Sequence, residues 1–126
     1  MAIVNKVDKK ILASGSDVVK YQILTYCFFN GIQISQSDLD CLTELAYNED
    51  MELTKFCELV YEKNIFKGPQ SARNALTKAE KKELVSKTGK NKKTIRLHKK
   101  MNVQSKGTIL LDFKILGNES KEPQTV

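Results

Sequence analysis

The sequence predicts a mainly α domain with a small β component, and three observations carry that expectation. Four stretches space their apolar residues as amphipathic helices do: 16–31, 37–48, 52–63 and 69–85. A Lys-rich segment after the fourth has the turn residues of a β-hairpin. A late run, GTILLDFKIL (107–116), alternates as a strand. The 126 residues fit one compact domain that buries a single core without disulfide or metal staples.

The opening residues, MAIVNKVDKK, place charge after a short apolar patch, the reverse of a secretory leader. No apolar run reaches the roughly 18–20 residues that span a bilayer, so a cytoplasmic product is expected. The first helix, SDVVKYQILTYCFFNG, has Ser16 as its cap, Asp17 in its first turn and Gly31 at its end. Val19, Ile23, Tyr26 and Cys27 form its stripe, which Leu24 and Phe28 widen. Ile32-Gln33-Ile34-Ser35 alternates as a very short strand. A second helix is expected from a Ser37 cap, with Leu39, Leu42, Leu45 and Ala46 inward. A third covers about 52–63, with Leu53, Phe56, Cys57 and Val60 inward.

The fourth helix opens at Gly68-Pro69, since proline loses nothing at the first helical position. Ala72, Ala75, Leu76 and Ala79 are small enough to let it pack close to the third helix. Gln70, Arg73, Asn74, Thr77, Lys78 and Lys81 fall on the other side. Thr88-Gly89-Lys90-Asn91 marks the hairpin turn and Thr94–Leu97 the return strand. Residues 117–126 have too little apolar content to pack alone.

The formal net charge of +6 conceals an asymmetry. Residues 67–106 carry thirteen Lys and Arg against only Glu80 and Glu83, a net +11; the remaining eight basic and thirteen acidic residues give −5. Such a patch attracts phosphate or an acidic protein surface. Cys27, Cys41 and Cys57 are odd in number, distant in sequence and set among apolar residues, so they read as small core hydrophobes rather than disulfides or zinc ligands. The single His98 is far in sequence from any cysteine, Gly68 and Gly89 are isolated, and no phosphate-cradling loop is present. The carboxylates Asp38 and Asp40, and Glu49, Asp50 and Glu52, sit where helix-dipole charge and solvated loops account for them. No enzyme, metal, cofactor or small-molecule substrate is expected.

The order helix, tiny strand, helix, helix, tight turn, helix, basic hairpin resembles the winged helix-turn-helix domain, on the residues IFKGPQSARNALTKAEKKELVSKTGKNKKTIRL. The resemblance implies an N-terminal arm (1–15), a winged-helix domain (16–100), a connection with an extra C-terminal strand (101–116) and a polar tail (117–126). It also implies that helix 69–81 is a recognition helix and the hairpin a basic wing. Gln70, Ser71, Arg73, Asn74 and Thr77 would then face base edges; Lys78, Lys81, Lys90, Lys92, Lys93 and Arg96 would meet phosphates or an acidic partner. A single arginine on that face is few for base reading, and the same lysines suit a merely solvated surface. Winged helices also serve as protein-docking modules.

Across the whole chain, VVKYQILTYCFFNGIQISQSDLDCLTELAYN, IFKGPQSARNALTKAEKKELV and GTILLDFKILGNES look like small virion-assembly proteins of crAss-like Bacteroides phages. That resemblance implies a structural ring or collar subunit between portal and tail, made in the host cytoplasm and carried in the virion. Its partners would be further copies of itself, other virion proteins and, in one version, double-stranded DNA. Leu110 and Leu116, which make the second face of the late strand apolar, are the candidate protein interface. The alternative is a sequence-specific winged-helix regulator or replication-associated protein.

Overall fold

In a computed structural model the chain is mainly helical, with two small antiparallel sheets. The structure describes the backbone of residues 3–118, with side chains at 10 and 12–116. In chain order the elements are β1 (Ile3–Ala13), α1 (Ser16–Phe29), α2 (Gln36–Ala46), β2 (Met51–Glu52), α3 (Leu53–Glu62), α4 (Pro69–Lys81), β3 (Val85–Thr88), β4 (Thr94–Leu97) and β5 (Ile109–Asn118). The helices and β2–β4 share one core. It is built from Val19, Ile23 and Cys27 of α1, Leu39, Cys41, Leu42 and Leu45 of α2, Phe56, Cys57 and Val60 of α3, and Ala72 and Leu76 of α4. Leu84, Val85, Ile95 and Leu97 close it from the hairpin side. The expected stripes of α2, α3 and α4 face the core, with Ala46, Ala75 and Ala79 only partly buried, and Ala72, with none of its surface exposed, lets α4 lie against α3.

Three helices stop by the same device. After α1, α3 and α4 the chain enters the left-handed region at Gly31, Asn64 and Glu83 (φ 66°, 62° and 60°). The next N–H then reaches back to the helix: Ile32 to Cys27 O (2.8 Å), Ile65 to Val60 O (3.0 Å) and Leu84 to Ala79 O (2.9 Å). This satisfies carbonyls that a helix end leaves unpaired and turns an apolar residue back onto the core. Glycine and asparagine accept that geometry readily, whereas Glu83 holds it at a cost of about 1 kcal/mol.

Several expectations are corrected. Ile32–Ser35 is not a strand: the Ile32 N–H is spent on closing α1, and Ser35 already belongs to the cap of α2. The short strand lies instead at Met51–Glu52, between α2 and α3, where Met51 pairs with Ile95 and Glu52 with Thr94. The cap of α2 is Ser35 rather than Ser37. Its hydroxyl accepts from the Asp38 N–H (3.1 Å) while Asp38 accepts from the Ser35 N–H, a capping box. Ser16 lies inside α1 and provides no cap hydrogen bond. Leu24 and Phe28 do not widen the α1 stripe; they are exposed, because the core covers only the Val19–Ile23–Cys27 side.

The hairpin has sheet order β2-β4-β3, with Val85 opposite Leu97 and Thr88 opposite Thr94. Its tip is a short 3-10 turn at Lys90–Lys92. The late strand does not join this sheet. β5 pairs with β1 in a separate two-stranded ribbon, from Ala13↔Ile109 to Ile3↔Asn118, with a bulge between Asn5 and Val7. The expected arm at 1–15 is therefore largely strand. Residues 117 and 118 of the expected polar tail belong to β5, and 119–126 lie outside the described residues.

Candidate functional site

The candidate interface consists of the outer face of α4 and the hairpin tip. Ala72 and Leu76 turn inward, which leaves Gln70, Ser71, Asn74, Thr77, Lys78 and Lys81 exposed and Arg73 half-buried. Several of the polar groups are already engaged within the chain. Gln70 Nε2 donates to Asn74 Oδ1 (3.0 Å), one turn along. Arg73 Nη2 donates to Thr54 Oγ1 on α3 (3.1 Å), and Thr77 Oγ1 donates to its own helix at Arg73 O (3.0 Å). Of the five residues assigned to base edges, Gln70, Arg73, Asn74 and Thr77 are thus engaged within the chain, and a base would have to displace those bonds.

The lysines are differently placed. Lys78, Lys81, Lys90, Lys92 and Lys93 are exposed, and no carboxylate among the described residues pairs with them. The two acids of the basic segment are both occupied: Glu80 by Lys87 (3.6 Å) and Glu83 by Lys100 (2.6 Å). The Lys100 hydrogen bond and charge hold the Glu83 carboxyl below its ordinary range, and Glu83 raises the Lys100 ammonium in return. Neutralising these acids leaves the surface dominated by the unpaired ammonium groups.

Arg96 stands apart. It alternates with the buried Ile95 and Leu97, so it projects from the sheet face opposite the core. Its Nε lies 3.7 Å from both Glu49 Oε2 and Asp50 Oδ1. The same two acids accept from the Leu97 N–H (3.0 Å) and the Thr88 hydroxyl (3.2 Å), tying the loop before β2 to the hairpin. In the free chain Arg96 thus completes an internal charge cluster.

The hairpin tip depends on one glycine. Gly89 has φ +79°, and a Cβ there would stand 2.7 Å from Thr94 Oγ1. That hydroxyl is itself fixed, donating to Thr88 O (2.7 Å) with Thr88 Oγ1 2.8 Å away. Asn91 and Lys92 follow in the left-handed region, carrying Lys90, Lys92 and Lys93 around a tight, hydrogen-bonded turn.

The cysteines lie in the core. All three are free and buried, and burial pushes each thiol above its ordinary value, Cys41 up to about 12. Burial of this kind favours the protonated thiol over the thiolate that nucleophilic and metal-binding chemistry uses. Among the described residues no group of three or more His, Cys, Asp and Glu comes together as a metal centre needs. No helix there is long and apolar enough to cross a membrane.

A second surface carries the two leucines assigned to protein contact. Leu110 and Leu116 are 57% and 54% exposed, and Leu12, Phe113 and Ile115 of the same ribbon are exposed too. Phe113 and Ile115 lie on the β5 face opposite Leu110 and Leu116, so both faces present apolar side chains. At the end of α1, Phe28 and Phe29 pack edge to face (ring centroids 5.7 Å apart) while remaining largely open to solvent. Phe28 is expected from its spacing to widen the apolar stripe of α1, and only the placement of the core shows it outside that stripe. No protein family, curated protein or solved structure matches the chain.

Proposed function

We propose that this chain is a non-enzymatic structural protein built on a winged helix-turn-helix, a subunit of the ring or collar of a tailed-phage virion. The order α2–β2–α3–α4–β3–β4, with β4 between β2 and β3, supports the winged-helix reading, α4 being the recognition helix and β3–β4 the wing. The observation that carries the structural role is the exposed β1–β5 ribbon. A two-stranded ribbon alone is marginally stable in water, and contiguous exposed apolar side chains mark interaction surfaces. This one keeps five large apolar residues in solvent until a neighbour covers them.

The basic face then grips a polyanion, the acidic surface of a neighbouring protein or the DNA backbone, through Lys78, Lys81, Lys90, Lys92 and Lys93. Binding of that kind is electrostatic and salt-sensitive. The test of the assembly role is incorporation of Leu110→Asp and Leu116→Asp into particles. Both variants should keep the helical circular dichroism of the parent and be lost from purified virions. Normal incorporation of both would remove the ribbon from the assembly.

The exposed outer face of α4 favours a second reading, a sequence-specific DNA-binding regulator or replication-associated protein. Fluorescence anisotropy on labelled duplex, with unlabelled random DNA as competitor, separates the two. Binding that survives competitor at physiological salt supports the regulator. Binding that vanishes with salt and competitor supports the gripping surface.

A further inference from the structure

The ribbon's partner is written in the sequence of β5. Among the described residues β5 pairs only with β1, so its outer edge offers a row of unpaired N–H and C=O groups. Long apolar edges of this kind are usually blunted by charge, proline or a covering element. Here the order of residues around Phe113 is Leu110-Leu111-Asp112-Phe113-Lys114-Ile115-Leu116. The order reads as a palindrome in chemical type: aliphatic pairs outside, then an acid and a base flanking one aromatic.

We infer that two copies of this chain join through the outer edges of β5, antiparallel and centred on Phe113, giving a continuous four-stranded sheet β1-β5-β5-β1. In that register Asp112 lies opposite Lys114 of the second copy, and Lys114 opposite its Asp112. Leu111 meets Ile115, Leu110 meets Leu116, and the two Phe113 residues face one another across the two-fold axis. A shift by one residue in either direction sets Asp112 or Lys114 opposite Phe113 or its own counterpart, and breaks both ion pairs. Opposite charges directly across an antiparallel pair stabilise it, and like charges oppose it. The pairing adds roughly one backbone hydrogen bond per residue pair. It also widens two marginal ribbons into a sheet that stands without further support.

Such a contact is isologous and closes after two copies. It names the neighbour that the assembly reading leaves open and rests on that reading only in taking the ribbon as an interface. A ring that contains it pairs one layer of subunits with another.

Charge exchange tests it with the full-length chain. Asp112→Lys leaves lysines at 112 and 114, and Lys114→Asp leaves aspartates at both. Light scattering on micromolar wild-type protein should give twice the 14.3 kDa chain mass, and each variant alone should give the single mass. An equimolar mixture should regain the double mass, because each lysine of one variant then faces an aspartate of the other. Both changes also place like charges across the β1–β5 pairs Lys10↔Asp112 and Asp8↔Lys114, but recovery on mixing is independent of that damage. Phe113→Cys gives a second readout. Paired residues have Cα atoms about 4.5–5.5 Å apart, inside disulfide range, so mild oxidation should link two copies at 113.

A monomeric wild type, single variants that stay dimeric, a mixture that fails to recover or the absence of a 113–113 crosslink overturns the inference. A head-to-tail ring, in which β5 meets β1 of the next copy, would give a larger assembly with neither recovery nor self-crosslink. That outcome also overturns it, while leaving particle incorporation of the Leu110 and Leu116 variants to decide the assembly reading.

Discussion

At the scale of single residues, burial and pairing decide which groups are available. Cys41 is 2% exposed, and its thiol is pushed from an ordinary 9.0 to about 12, first by desolvation and then by the nearby Asp38, Cys57 and Glu44. Between those values the unfolded chain has released a proton that the folded chain keeps, so stability falls as pH rises from about 9 to 12, by at most about 1.4 kcal/mol per pH unit. Cys41→Ala should remove that part of the alkaline slope in urea melts taken across the window. Lys90, Lys92 and Lys93 are the converse case, exposed and unpaired among the described residues. Changing all three to Ala should lower the salt slope of duplex binding by about three counterions and leave the melting temperature nearly unchanged. A slope that does not move would take the hairpin out of the proposed interface. The lysines were legible in the sequence because a charge excess is visible without coordinates. The engagement of Arg73 by Thr54 and of Arg96 by Glu49 and Asp50 was not, since those partners lie 19, 47 and 46 positions away.

At the scale of elements, local rules located the helices well and their boundaries less well. The stripe of α3 and the Pro69 start of α4 depend on spacing and backbone chemistry within one or two turns, which any sequence displays. The strand at Met51–Glu52 exists only because β4 returns beside it, so the alternation at Ile32–Ser35 attracted the assignment instead. Gly89 is the element-scale test of the hairpin. Gly89→Ala meets both a positive φ and the fixed Thr94 hydroxyl, and should destabilise the hairpin by about 1–2 kcal/mol. The measurement is faster amide exchange at the β3–β4 pairs, with the exchange of α2 and α3 little altered. Unchanged exchange across the hairpin would show that the turn tolerates a side chain. Glu83→Gly carries the opposite expectation. It relieves left-handed strain after α4 but gives up the exposed Lys100 pair, which solvent screens, and thermal melts should show a small net gain.

At the scale of the whole molecule, β1 and β5, from opposite sides of the helical body in sequence, meet in one ribbon. Gln22 on α1 clamps the returning segment at Gln104 in two places: its amide donates to the Gln104 carbonyl (2.6 Å), and its carbonyl accepts from the Gln104 N–H (2.8 Å). Tyr47 Oη donates to Gly15 O (3.3 Å) at the root of β1. These contacts hold the start of the ribbon against the helical body. Gln22→Ala should cost about 0.5–1.5 kcal/mol and raise amide exchange in β1 and β5 well before the core responds. Equal protection of ribbon and core in that variant would mean that the clamp does not govern the ribbon. Composition, the +11 segment, the four amphipathic stripes and the palindrome of β5 belong to the sequence by itself, because each depends on neighbours within a turn or a strand. The tertiary structure alone decided that β5 pairs with β1 rather than with the β3–β4 hairpin, that Phe28 and Phe29 face solvent, and that Gln70, Arg73, Asn74 and Thr77 on the outer side of α4 are already bonded. Those outcomes depend on contacts between distant positions, which the folded chain selects by burying one continuous core and leaving the ribbon outside it.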